Sequence, residues 1–148
     1  MPDNKDVFDI MIEKEQEAVV FYTQMLNIAK FDAFKVTIRE FIKMEEKHVV
    51  IIQGFKENGF KDRKIKDFKS LGLSSGSAQV EPIDASSFEA ILHQAVKRED
   101  AAYNLYTQLK YDMAGTEYEK IFALMAKEEA AHKYYFERLY DDHVLIDN

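Results

Sequence analysis

The chain has 148 residues, 47% of them hydrophobic and 32% charged, with a formal net charge of −7. That is one domain's length, able to bury a core, and too apolar for an intrinsically disordered chain. The acidic balance argues against a nucleic-acid surface, and with no cysteine, disulfides, iron–sulfur clusters and zinc ribbons are excluded. Only five glycines and two prolines interrupt the sequence, which favours long helices. The N-terminal stretch MPDNKDVFDIMIEKE is acidic throughout and lacks an apolar signal-peptide core. No apolar run would span a bilayer. The expectation is a soluble, cytoplasmic protein with neither a membrane nor a nucleic acid as partner.

Taken in chain order, the first helical period runs from about Asp6 to Lys30, with Phe8, Met11, Ile12, Val19, Tyr22, Met25 and Leu26 recurring at helical spacing. Asp32 is a predicted N-cap for a second helix carrying Phe34, Ile38, Phe41, Ile42, Met44, Val49 and Ile52, and Asn58-Gly59 is its predicted C-terminal cap. Residues 60–85 lose the helical period and read as a long crossover. Ser86 with Glu89 forms a predicted capping box for a third helix that reaches about Met113, where Gly115 breaks it. Thr116 with Glu119 forms another, and the fourth helix continues to about Tyr140. The fold class expected is all-α: a four-helix bundle made of two helical hairpins, about 5–59 and 86–141, joined by the crossover.

The hairpins repeat each other. At an offset of 84 residues and without a gap, Glu15 falls on Glu99, Tyr22 on Tyr106, Lys43 on Lys127, Glu45 on Glu129 and His48 on His132. Thr23-Gln24 likewise falls on Thr107-Gln108, and Ala18 on Ala102. A shared helical period would align apolar residues, but it would not align polar ones lying within the apolar faces. The offset also decides which glutamate belongs with each histidine. Glu45 matches Glu129, whereas Glu46 matches Ala130 and Glu128 matches Met44. The i, i+3 spacing of Glu45 with His48, and of Glu129 with His132, puts each pair on one helix face.

Residues equidistant from a hairpin turn lie side by side. The midpoint of Glu15 and Glu45 is residue 30, in the first predicted turn, and that of Glu99 and Glu129 is residue 114, beside Gly115. Four carboxylates and two imidazoles are therefore expected to converge in the core. Four neighbouring carboxylates cannot remain ionised in a dry core. Two divalent cations would balance them with both histidines neutral, and mixed oxygen and imidazole ligation suits iron or manganese. The plainer alternative makes the glutamates solvated helix positions and the histidines satisfied core residues.

The four segments EQEAVVFY (15–22), EEKH (45–48), EDAAYNLY (99–106) and EAAH (129–132) together resemble the rubrerythrin branch of the ferritin-like di-iron carboxylate proteins. The likeness covers both hairpins but not the crossover or the tail. It implies a ferritin-like bundle binding two iron ions, with manganese as a substitute. It implies that Glu45 and Glu129 bridge the metals, that Glu15 and Glu99 are terminal ligands, and that His48 and His132 bind one metal each. Tyr22 and Tyr106 would hydrogen-bond ligand carboxylates. His93 and His143 fit neither the offset nor the ligand faces and read as surface residues.

Two departures stand out. With no cysteine there is no rubredoxin-type iron centre, so an external electron donor is required. Rubrerythrins also carry a further glutamate one turn after the helix-three ligand, a position held here by Ala102, with Ala18 as its counterpart. The leading expectation is an oxidoreductase reducing dioxygen or peroxide, acting as a homodimer. Ferrous-iron oxidation and binding of the ferritin type is the alternative, and a non-catalytic helical bundle is the third.

Overall fold

The structure, a computed structural model, describes residues 7–57 and 83–147. Among them are four α-helices and no strand: α1 (Val7–Ile28), α2 (Asp32–Glu57), α3 (Phe88–Asp112) and α4 (Tyr118–Asp147). They fall into two compact units, α1 with α2 and α3 with α4. No described helix is long and apolar enough to cross a membrane.

Each unit is an antiparallel hairpin. In the first, the Phe8 and Phe55 rings lie 6.3 Å apart at the open end, and Tyr22 meets Phe41 edge-on at 6.1 Å near the turn. In the second, Phe88 and His143 meet at 5.4 Å at the open end, and Tyr106 stacks on Phe122 at 6.4 Å near the turn. Large rings at both levels bury much apolar surface per contact and hold the helices in register.

The buried stripes follow the duplication. On α1, Phe8, Ile10, Met11, Glu15, Tyr22 and Met25 are buried, and their counterparts Leu92, Gln94, Ala95, Glu99, Tyr106 and Leu109 are buried on α3. On α2 the buried run is Phe34, Ile38, Glu45, His48 and Ile52, the three- and four-residue steps of a seam that faces a neighbour. On α4, Phe122, Glu129, His132 and Phe136 repeat its last four members.

The helix ends correct several expectations. α3 is capped by Ser87, whose side chain accepts from Ala90 N at 3.0 Å, and not by Ser86. Ser86 is committed to the preceding turn, where its N–H donates to Asp84 Oδ1 at 3.0 Å. Hydrogen bonds from the Ser86 side chain and backbone hold Asp84 below the usual carboxylate range. Gln94, a buried polar residue, fastens that turn to α3 by accepting from Asp84 N at 2.8 Å. Thr116 does cap α4, but its hydroxyl accepts from Tyr118 N at 3.2 Å and donates to Met113 O at 2.7 Å, while Glu119 N bonds the Thr116 carbonyl. Asp32 is the first helical residue of α2 rather than the residue before it. α4 continues past Tyr140 to Asp147, because no glycine or proline stops it and Tyr140 and His143 still reach α3 through His93 and Phe88. The predicted Asn58-Gly59 cap and residues 60–82 of the predicted crossover lie outside the described residues.

Gly115 has φ +84°, the left-handed region expected of the residue that ends α3 and turns the chain. An added Cβ would meet nothing within 4 Å at either Gly115 or Gly54. The same substitution is therefore expected to act in opposite directions. Gly115→Ala should lower stability by roughly 1–2 kcal/mol through backbone strain alone, about 2–6 °C in Tm. Gly54→Ala, inside α2, should raise it by up to about 1 kcal/mol. Thermal melts of the two variants check both signs.

Candidate metal centre

The six residues selected by the duplication are all buried: Glu15 is 3% exposed, Glu45 1%, His48 0%, Glu99 2%, Glu129 1% and His132 5%. Helix geometry explains the grouping within each hairpin. Glu45 and His48 are one turn apart on the buried seam of α2, and α1 brings Glu15 to the same level from the other side. Glu129 and His132 repeat the arrangement on α4, and α3 brings Glu99.

The first hairpin places Nδ1 of His48 3.5 Å from Glu15 Oε2 and 3.8 Å from Glu45 Oε2. The second places Nδ1 of His132 3.6 Å from Glu99 Oε2. Glu15, Glu45 and His48 each offer one ligand atom within 4.8 Å of the others, and Glu99, Glu129 and His132 do the same. These gaps exceed a normal hydrogen bond. Donor atoms about 2.1 Å from one metal and 90–120° apart would be about 3.0–3.6 Å from each other, which the His48–Glu15 and His132–Glu99 gaps meet and the His48–Glu45 gap slightly exceeds. The donor set of carboxylate oxygens and imidazole nitrogen also fits a divalent transition metal. The structure thus contains two buried Glu/His groups that could hold a metal ion.

Electrostatics favours the same reading. Each hairpin buries two carboxylates and one imidazole at one level. Keeping two carboxylates ionised side by side in a core is costly. A divalent cation would offset such charge while leaving the imidazole neutral, the form in which it ligates.

The other matched positions divide by burial. Tyr22 and Tyr106 are each 1% exposed. They sit among rings, Tyr22 against Phe21 at 5.7 Å as well as Phe41, and Tyr106 on Phe122. Lys43 and Lys127 are both exposed, so that match belongs to outer helix faces, whereas Thr23 and Gln108 are exposed and their counterparts Thr107 and Gln24 half-buried. Glu46, the glutamate adjacent to the ligand pair, is exposed, whereas Glu128 is half-buried. His93 is exposed as expected, but His143 is only half-exposed, edge-on to Phe88 and 3.8 Å from Glu89.

One contact at this level was not anticipated. Lys133, the residue after His132, donates to Asp100, the residue after Glu99, at 2.8 Å. It ties α3 to α4 beside the Glu99–His132 pair. The equidistance rule does not single it out, since Asp100 and Lys133 are centred between residues 116 and 117 rather than on residue 114; the signal available was their opposite charge. The first hairpin has Gln16 and Val49 at these positions, and its own cross-helix ion pair joins Lys56 to Asp9 nearer the open end.

The hydrogen bond to Asp100 raises the Lys133 pKa above its usual value. A raised folded-state pKa stabilises the fold fully below the unfolded lysine value, and the contribution disappears as pH rises through the folded value. Lys133→Met should therefore cost about 0.2–1 kcal/mol across the neutral range, as for partly exposed pairs. The gap to wild type should close only in strongly alkaline solution. Urea unfolding at neutral pH and beyond the lysine range tests this.

No protein-family model, curated protein or solved structure matches the chain.

Proposed function

We propose that the chain is a di-metal carboxylate oxidoreductase of rubrerythrin type, a ferritin-like four-helix bundle in which each hairpin supplies one buried Glu, Glu, His group. Glu15, Glu45, His48, Glu99, Glu129 and His132 would hold a pair of iron ions. The observation that carries this reading is the repetition of a buried Glu, Glu, His group, with ligand atoms within 4.8 Å of one another, in both hairpins at one offset. A core duplicates apolar residues readily. It does not duplicate buried charge unless something compensates that charge.

When bound, a pair of iron ions supplies two-electron reduction of dioxygen or peroxide. The chain's own residues set the conditions. The imidazoles offer Nδ1 toward the carboxylates in both hairpins. Ile38 and Ile52 bracket the ligand pair on α2, and Phe122 and Phe136 bracket it on α4, all fully buried, so water is kept from the ligand level. Tyr22 and Tyr106, two turns from Glu15 and Glu99 on the same faces, close the turn side of each hairpin with rings. With no cysteine in the chain, the electrons come from a separate donor.

Anaerobic titration with ferrous ion followed by metal analysis should give two irons per chain. Repeated consumption of dioxygen or peroxide in the presence of a reductant supports the oxidoreductase. A single round of ferrous oxidation, with iron accumulating in a large assembly, would make the protein an iron-handling one instead. Glu45→Ala or Glu129→Ala should each bring the iron content below two, whereas Glu46→Gln, on an exposed position, should leave it unchanged. Loss of iron in the Glu46 variant with retention in the Glu45 variant would show that the wrong glutamate has been assigned.

A further inference from the structure

Four methionines are fully or almost fully buried: Met11, Met25, Met113 and Met125. They are not equivalent. Met11 is four residues before Glu15 on α1, and Met125 is four residues before Glu129 on α4. Side chains four apart on a helix share a face, and each leans toward the helix N-terminus. Glu15 therefore leans over the turn that holds Met11, and Glu129 over the turn that holds Met125. The rise is about 6 Å in each case. Met25 lies ten residues from Glu15, about 15 Å along the helix, and Met113 fourteen residues from Glu99, about 21 Å. Met44 is turned about 100° from Glu45 and lies four residues before His48, but unlike Met11 and Met125 it is only half-buried and so open to oxidant from solvent.

Each hairpin thus has one thioether a single turn from a ligand carboxylate. The two are not repeat counterparts, since Met11 aligns with Ala95 and Met125 with Phe41. We propose that Met11 and Met125 are oxidation sites of the metal centre, taking an oxygen atom from hydrogen peroxide when it outruns the supply of reductant. The inference rests on the di-metal reading. At 1% and 0% exposure these sulfurs are screened from peroxide in bulk solvent, so selective oxidation requires the oxidant to be activated at the neighbouring ligand level.

The step balances without a further reactant. A sulfur lone pair attacks one peroxide oxygen, the O–O bond breaks and an S–O bond forms. The other oxygen leaves as water with both protons. The thioether is oxidised by two electrons and the peroxide reduced by two. The sulfoxide sets a polar oxygen in a dry core one turn from a ligand, which loosens that ligand's seat. Methionine sulfoxide is enzymatically reducible, so the change is reversible. The consequence is a centre that releases iron under excess peroxide.

The test is peptide mass mapping of the full chain after a few equivalents of hydrogen peroxide, on protein loaded anaerobically with ferrous ion and on metal-free protein, with iron measured beforehand. Loaded protein should show sulfoxide at Met11 and Met125 several-fold above Met25 and Met113. Metal-free protein should show no such preference, with the half-buried Met44 reacting ahead of the four buried residues. The M11L/M125L variant, close in volume, should bind the same iron and keep more of it through successive peroxide additions. Loaded protein that consumes peroxide while Met11 and Met125 react no more than Met25 and Met113 would overturn the inference and leave the di-metal reading intact. Failure to bind iron at all would remove both together.

Discussion

Ionised carboxylates inside a helical core are unfavourable twice over, because burial strips their hydration and low polarity strengthens their mutual repulsion. Glu15, Glu45, Glu99 and Glu129 are each at most 3% exposed, so this constraint weighs on both halves of the molecule. The four lie in stripes that are otherwise largely apolar. That the charge is present in both hairpins, with an imidazole one helical turn away, is the feature the rest of the structure accommodates. A divalent cation held by each Glu, Glu, His group would reconcile it with the burial.

The accommodation uses the periodicity of the α-helix. An E-x-x-H pair occupies two neighbouring positions of the buried seam, so α2 gives up only Glu45 and His48 while Ile38 and Ile52 continue the seam on either side. α4 does the same between Phe122 and Phe136. The antiparallel pairing then sets the third buried side chain, Glu15 or Glu99, at the same level from the other helix. Aromatic contacts near the turn and near the open end fix that level from both sides. A slip of one residue along either helix would carry Glu15 or Glu99 about 100° around its axis and out of the cluster.

Much of this is legible in the sequence, and what is not has physical reasons. The helices and both tight turns follow from apolar period and from Gly115, and the ligand groups follow from polar identities repeated inside apolar stripes. Burial then separates matches that sequence alone treats alike: Glu45 with Glu129 is buried, whereas Lys43 with Lys127 is exposed. The α3 cap is displaced by one residue because two serines stand side by side and Asp84 engages the first, a contact from outside the local motif. The length of α4 is underestimated because Asp141-Asp142 interrupts its apolar period, although Tyr140 and His143 still meet rings on α3. The ion pair of Asp100 with Lys133 escapes a search for repeated residues because only one hairpin has it.

The central claim is that six buried side chains hold two metal ions. Anomalous diffraction at the iron edge, on crystals grown from ferrous-loaded protein, tests it most directly. The account predicts two peaks, one beside Glu15, Glu45 and His48 and the other beside Glu99, Glu129 and His132. A structure in which the iron lies on the surface, or in which these six side chains surround no peak, would contradict it.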